Sequence, residues 1–192
     1  MKIKNIIQNS INTKKQVLEN TELLKTIEQI KTEIVNCFKA DGKVLFCGNG
    51  GSAADAQHLA AEFSGRFYFD RDPLNAEALH VNTSYLTAVG NDYSYDEVYA
   101  RIVKAKGRKG DVLIGISTSG NSENVVRALE QAQKQGMITV SFTGESGGKM
   151  KTLSDYLINI PSTDTPRIQE CHILIGHIIC ELVEDALFAE GC

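Results

Sequence analysis

The sequence predicts an α/β three-layer sandwich, with a doubly wound parallel sheet of five strands flanked by helices and a long N-terminal helical segment ahead of it. Three observations carry this. Five short apolar runs recur, at residues 43–47, 76–81, 111–116, 138–143 and 156–160. Helix-period segments separate most of them, at 52–66, 83–89, 93–105 and 122–135. No repeat, low-complexity tract or linker interrupts the chain, so residues 1–192 read as one domain. Strands that alternate with helices pair in parallel through right-handed crossovers, which puts helices on both faces of the sheet.

The first element is helical from Ile6 to about Lys39, where Ile7, Ile11, Val17, Leu18, Leu23, Leu24, Ile27, Ile30 and Ile34 recur at helix-like spacing. One long helix or two shorter ones fit this pattern. The apolar face is long for one small domain to cover, so residues 1–40 are expected to serve in oligomerisation.

Ligands of such sheets bind beyond the carboxyl ends of the strands, which singles out the turns after the first and third runs. The first run leads into Gly48-Asn49-Gly50-Gly51-Ser52 and then directly into a helical segment. Glycines allow close backbone approach, and a helix N-terminus offers free N–H groups to an anion. The spacing is neither a dinucleotide fingerprint nor a Walker loop, and a purely structural turn fits as well. The third run leads into Ser117-Thr118-Ser119-Gly120-Asn121-Ser122. A helix cap needs only Ser122; three further hydroxyls favour a phosphate cradle.

On the helix after the first turn, His58 and Glu62 lie four residues apart and share a face, with Arg66 one turn further. This pairing suits a surface ion pair, half of a metal site, or an acid–base couple. The last helix is expected from about Pro166, with Asp164 or Thr165 as its N-cap. It carries Gln169, His172 and His177 in a mostly apolar stretch, where an imidazole must find a polar partner or a metal. Either histidine taken singly also fits a satisfied core position. Asn91-Asp92, placed in a turn after the 83–89 helix, suits sugar hydroxyls or an Asx-type turn.

Composition narrows the partners. A net charge of −4 with scattered Lys and Arg gives no footprint for nucleic acid or an anionic membrane. The opening residues lack a secretory signal, and the apolar stretch 172–183 falls short of the roughly 20 residues that span a bilayer, so a cytoplasmic protein is expected. Cys37, Cys47, Cys171, Cys180 and Cys192 form no Cys-x-x-Cys pair and read as reduced, mostly buried thiols.

Taken together, Cys-Gly-Asn-Gly-Gly-Ser at 47–52, His-x3-Glu-x3-Arg at 58–66, Gly-Asn-Asp at 90–92, Gly-Ile-Ser-Thr-Ser-Gly-Asn-Ser at 115–122 and Arg-Ile-Gln-Glu-x-His-x4-His at 167–177 resemble the phosphoheptose isomerases of the sugar isomerase (SIS) domain class. The resemblance implies conversion of sedoheptulose 7-phosphate to D-glycero-D-manno-heptose 7-phosphate, for the heptose of bacterial lipopolysaccharide or capsule. It implies Glu62 as the base, His177 as the acid, and a cis-enediol between ketose and aldose. It further implies one Zn²⁺ per subunit on His58, Glu62, Gln169 and His177, and a homotetramer with sites at subunit boundaries. Implied substrate contacts are Asn49, Gly50, Gly51, Ser52, Glu62, Asn91, Asp92, Ser117, Thr118, Ser119, Ser122 and Gln169, with Arg66 beside them. Where some members carry an acidic residue ahead of Arg167, this chain has Thr165-Pro166. A non-enzymatic SIS-domain relative that binds the bacterial replication initiator is the rival reading; there the positions matching Glu62 and His177 are not retained, whereas this chain keeps both.

Overall fold

In a computed structural model, residues 1–189 are described. The N-terminal segment is two helices, α1 (Lys2–Glu19) and α2 (Thr21–Lys39). Asn20 breaks them: its backbone is extended, and its side chain accepts the Leu23 N–H to cap α2. α2 buries Leu23, Ile27, Ile30 and Ile34 on one face. α1 buries only Thr13 and Val17, and leaves Ile3, Ile7, Ile11 and Leu18 at least half exposed.

The sheet comprises β1 (Val44–Gly48), β2 (Ala76–Ala78), β3 (Val112–Ile116), β4 (Ile138–Thr143) and β5 (Tyr156–Asn159). Its order is β2-β1-β3-β4-β5, with every pairing parallel. β1 and β3 are buried along their whole length, as strands covered on both faces must be. The edge strand β2 is shorter than the apolar run 76–81 predicted. After Leu79 N–H bonds to Phe46 O, the chain turns away into α4 (Thr83–Asp92), capped by Asn82.

α3 (Gly51–Ser64) and α7 (Thr165–Phe188) join α2 on one face, burying Leu59, Phe63, Ile175 and Ile179 against Phe46 and Ile114. α5 (Val98–Lys106) and α6 (Glu123–Lys134) cover the other, with Tyr99, Ile102, Val125 and Leu129 against Leu45 and Leu113. α5 begins later than the pattern over 93–105 suggested, because α4 runs on through Asp92 and a short 3₁₀ turn, Tyr95–Glu97, follows.

The strand order reverses between β1 and β3, so the topological switch point lies between them, at their carboxyl ends. The glycine-rich and serine-rich turns follow these two strands and are therefore neighbours in space. Among the described residues no helix is long and apolar enough to cross a membrane. Cys37, Cys47, Cys171 and Cys180 are free and buried, and burial pushes the Cys47 thiol up to about 12. Cys192 lies outside the described residues.

Candidate active site

The glycine-rich turn bends at Gly50, whose φ of +56° is open to glycine, and α3 starts at Gly51. The Gln169 amide lies on Gly51 itself: a methyl group there would stand 2.6 Å from Gln169 Nε2. The start of α7 is thereby set against the start of α3. The two helices close again further along, where a methyl on Gly176 would meet Leu59 at 2.5 Å. This second approach brings the next residue, His177, to α3.

Three polar side chains converge there. His58 Nε2 lies 2.8 Å from Glu62 Oε1 and 3.3 Å from His177 Nε2. Ligand atoms of all three lie within 4.8 Å of one another, a His₂–carboxylate group of the type that holds a divalent metal. The Phe67 ring packs against His177, with centroids 5.8 Å apart. His58 remains half exposed. His172, by contrast, is a core histidine: it is fully buried, with Nε2 3.0 Å from Thr143 O and Nδ1 without a hydrogen-bond partner among the described residues.

Ser122 stands at the N-cap of α6, yet its side chain makes no capping bond. Its hydroxyl lies instead 2.8 Å from that of Ser117, which is also 3.4 Å from that of Ser119. Ser117, Ser119 and Ser122 thus face one another in front of the free N–H groups of α6, an arrangement suited to an anion with several acceptor oxygens. Thr118 and Ser119 also line an adjoining cleft of ≈330 Å³ between the loops after β3, β4 and β5. Ser52 is buried in the first turn of α3, its N–H bonded to Asn49 O at 3.0 Å.

Two expectations are corrected. Asn91 and Asp92 form the exposed last turn of α4 rather than a turn after it, and their side chains bond to each other at 2.9 Å. Arg66 is not on the His58–Glu62 face, because α3 ends at Ser64 and Arg66 lies exposed beyond it.

Three residues passed over in the sequence belong to the site's frame. Asn124, 3% exposed in α6, bonds to Asn49 across the switch point. Its signal was a polar residue beside the inward-facing Val125 and Val126. Arg71 Nη2 donates to Glu62 O, and its Nε to Glu184, seven residues after His177 on α7. A glutamate two turns along the apolar face of a helix was the clue there.

The chain is similar to proteins already characterised. A family model described as SIS domain matches residues 7–144. Phosphoheptose isomerase of Aneurinibacillus thermoaerophilus is 55% identical over 97% of this chain and 94% of its own length. Phosphoheptose isomerase 2 of Campylobacter jejuni is 53% identical over 98% and 94%. The chain belongs to the phosphoheptose isomerase family. A solved phosphoheptose isomerase from Neisseria gonorrhoeae superposes with a TM-score of 0.90 at 43% identity, covering 96% of this chain and 97% of that one. Enediol isomerisation of a sugar phosphate needs a base and an acid near one carbon–oxygen pair and a seat for the distant phosphate.

Proposed function

We propose that this chain interconverts sedoheptulose 7-phosphate and D-glycero-D-manno-heptose 7-phosphate, for bacterial surface polysaccharide such as lipopolysaccharide or capsule. The observation that carries this reading is the convergence of Glu62 and His177 beside the paired turns of β1 and β3. Ser117, Thr118, Ser119 and Ser122 seat the phosphate, with the N-terminus of α6 behind them. Backbone groups of Asn49, Gly50 and Gly51, with Ser52, Asn91, Asp92 and Gln169, hold the sugar. Asn91 and Asp92 are exposed, so they meet the substrate only if it, or a second subunit, reaches the end of α4.

Glu62 removes the proton from the carbon beside the carbonyl, and His177 carries the proton of the oxygen and assists ring opening. The cis-enediol is then reprotonated on the neighbouring carbon. Glu62 turns Oε1 to His58, which leaves Oε2 for this transfer.

His58, Glu62, Gln169 and His177 would hold one Zn²⁺ per subunit. Three of these donors carry the fit: two imidazoles and a carboxylate suit zinc and converge, with the two Nε2 atoms 3.3 Å apart, whereas the Gln169 amide lies against Gly51. When bound, the ion polarises a carbonyl or hydroxyl oxygen. We further infer a homotetramer, supported by the uncovered apolar stripe of α1 and the open surface beside His58, and a cytoplasmic setting, supported by the buried free thiols.

Purified, zinc-supplied protein is incubated with sedoheptulose 7-phosphate and followed by NMR. Heptose 7-phosphate is the expected product, and no turnover by folded protein defeats the reading. Metal analysis of untreated protein is expected to find about one zinc per chain by this assignment, and an empty site with full activity sinks that part. A monomeric mass in solution sinks the tetramer.

A further inference from the structure

A pair of side chains joins the glycine-rich turn to the first turn of α6, directly after the serine turn. Asn49 Nδ2 donates to Asn124 Oδ1 at 2.9 Å, and Asn124 Nδ2 donates back to Asn49 Oδ1 at 2.9 Å. Neither oxygen has capacity to spare. Asn49 Oδ1 also accepts the Tyr95 hydroxyl at 3.1 Å, and Asn124 Oδ1 also accepts the Val125 N–H at 3.0 Å. An amide oxygen has two lone pairs, so both acceptors are saturated. Asn124 is 3% exposed and has no face toward a ligand. A second brace lies beneath: the Tyr99 hydroxyl donates to Gly48 O at 2.5 Å, holding the end of β1 to α5.

The two turns serve different ends of a sugar phosphate. The Asn49 turn opens directly into α3, which carries His58 and Glu62. The serine turn ends at Ser122, two residues before Asn124. The Asn49–Asn124 link therefore bridges the element that would hold the phosphate and the helix that would move the proton. A substrate bound by its phosphate presents its reacting carbon at a distance set by the carbon chain. Turnover then depends on the spacing between the two protein elements, and a misplacement of about 1 Å costs on the order of 100-fold.

We propose that Asn124 is a positioning residue that fixes the spacing between the serine cradle and α3, and that the Asn49 side chain acts through it rather than by touching substrate. This rests on the isomerase reading above. The proposal separates the backbone of the Asn49 turn, which remains free to meet the sugar, from its side chain, whose oxygen and one amide hydrogen are committed to the link.

The test is a cycle of four proteins: wild type, Asn49→Ala, Asn124→Ala and the double variant. Each is assayed for kcat and KM with sedoheptulose 7-phosphate and for competitive inhibition by inorganic phosphate, which needs the serine cradle alone. Asn124→Ala is expected to lower kcat by roughly 10- to 100-fold, with the phosphate inhibition constant within about twofold of wild type. Asn49→Ala should match it, and the double variant should be no worse than either single. A double variant whose losses multiply shows that Asn49 meets the substrate directly, and overturns the proposal. So does a phosphate inhibition constant that rises in step with the loss of kcat, since Asn124 then only shapes the cradle. If Asn124→Ala does not fold, Asn124→Ser, a residue tolerated at helix starts, goes through the same cycle. An inactive wild type refutes the isomerase reading itself, a result distinct from an active wild type with multiplying losses.

Discussion

Arg71 and Glu184 form a shielded ion pair, Nε to Oε1 2.8 Å with side chains only 3% and 2% exposed, that ties the loop after α3 to α7. The Glu184 carboxylate also accepts the N–H groups of Phe67, Tyr68 and Phe69. Arg71 in turn donates to the carbonyls of Glu62, Phe63 and Gly65 at the C-terminal end of α3. Glu184→Ala strands a buried guanidinium and leaves three part-buried N–H groups without their acceptor, and is expected to cost about 3–5 kcal/mol in urea unfolding. A loss below 1 kcal/mol would show that the pair is not shielded in solution.

The same carboxylate has a pH signature. Burial alone would raise its pKa, but the backbone donors of Phe69, Tyr68 and Phe67, with Arg71, more than offset this and hold it below the ordinary 4.5. A depressed acid contributes its full stability above the unfolded-state value and loses it as pH falls through the folded one. The acid limb of unfolding below pH 4.5 should therefore flatten in Glu184→Gln relative to wild type.

His172 acts over a higher window. Burial lowers it from 6.5 to about 4, while its bond to Thr143 O pulls the other way. Between those values the unfolded chain binds a proton that the folded one excludes, so stability falls as pH drops. From this group alone, unfolding at pH 5 should cost about 2 kcal/mol less than at pH 7. His172→Gln should remove most of that difference, as read from urea midpoints at the two pH values.

Gly176→Ala sets two effects against each other. Alanine in a helix interior gains about 1 kcal/mol over glycine. The added methyl collides with Leu59, and the void beside them, ≈10 Å³, is too small for the displaced side chain. Overpacking of that kind costs about 1–3 kcal/mol, so a net loss of stability is expected. As α3 and α7 part to admit the methyl, His58 and His177 separate, and activity should fall. A variant as stable and active as wild type removes Gly176 from this role.

Glu62→Gln and His177→Gln should each lower kcat by roughly 10²- to 10⁴-fold, with a smaller change in substrate affinity. Wild-type rates in either variant eliminate its proposed role in proton transfer.

Much of the architecture was legible because strand and helix periods alternate cleanly along the chain. The apolar run 138–143 coincides with β4, whose two ends are bounded by turn chemistry. The apolar period continues through Asn20, so only its side-chain cap distinguishes two helices from one. Asn91-Asp92 looked like a turn because Gly90 precedes it, yet α4 runs through all three residues. The four-residue spacing of His58 and Glu62 was visible, whereas their meeting with His177 depends on the packing of Gly176 against Leu59. The links Asn49–Asn124 and Arg71–Glu184 join residues 75 and 113 positions apart, and local pattern has no purchase on such pairs.

α7 carries Gln169 against the start of α3, His177 at its middle and Glu184 at the anchor of the following loop. One unbroken helix therefore sets three separate registers at once. Inserting or deleting a single residue between positions 169 and 184 would turn everything beyond it by about 100° and shift it by 1.5 Å, undoing at least one of the three. Within this stretch the three contacts fix the length of the chain as well as the identity of the residues that make them.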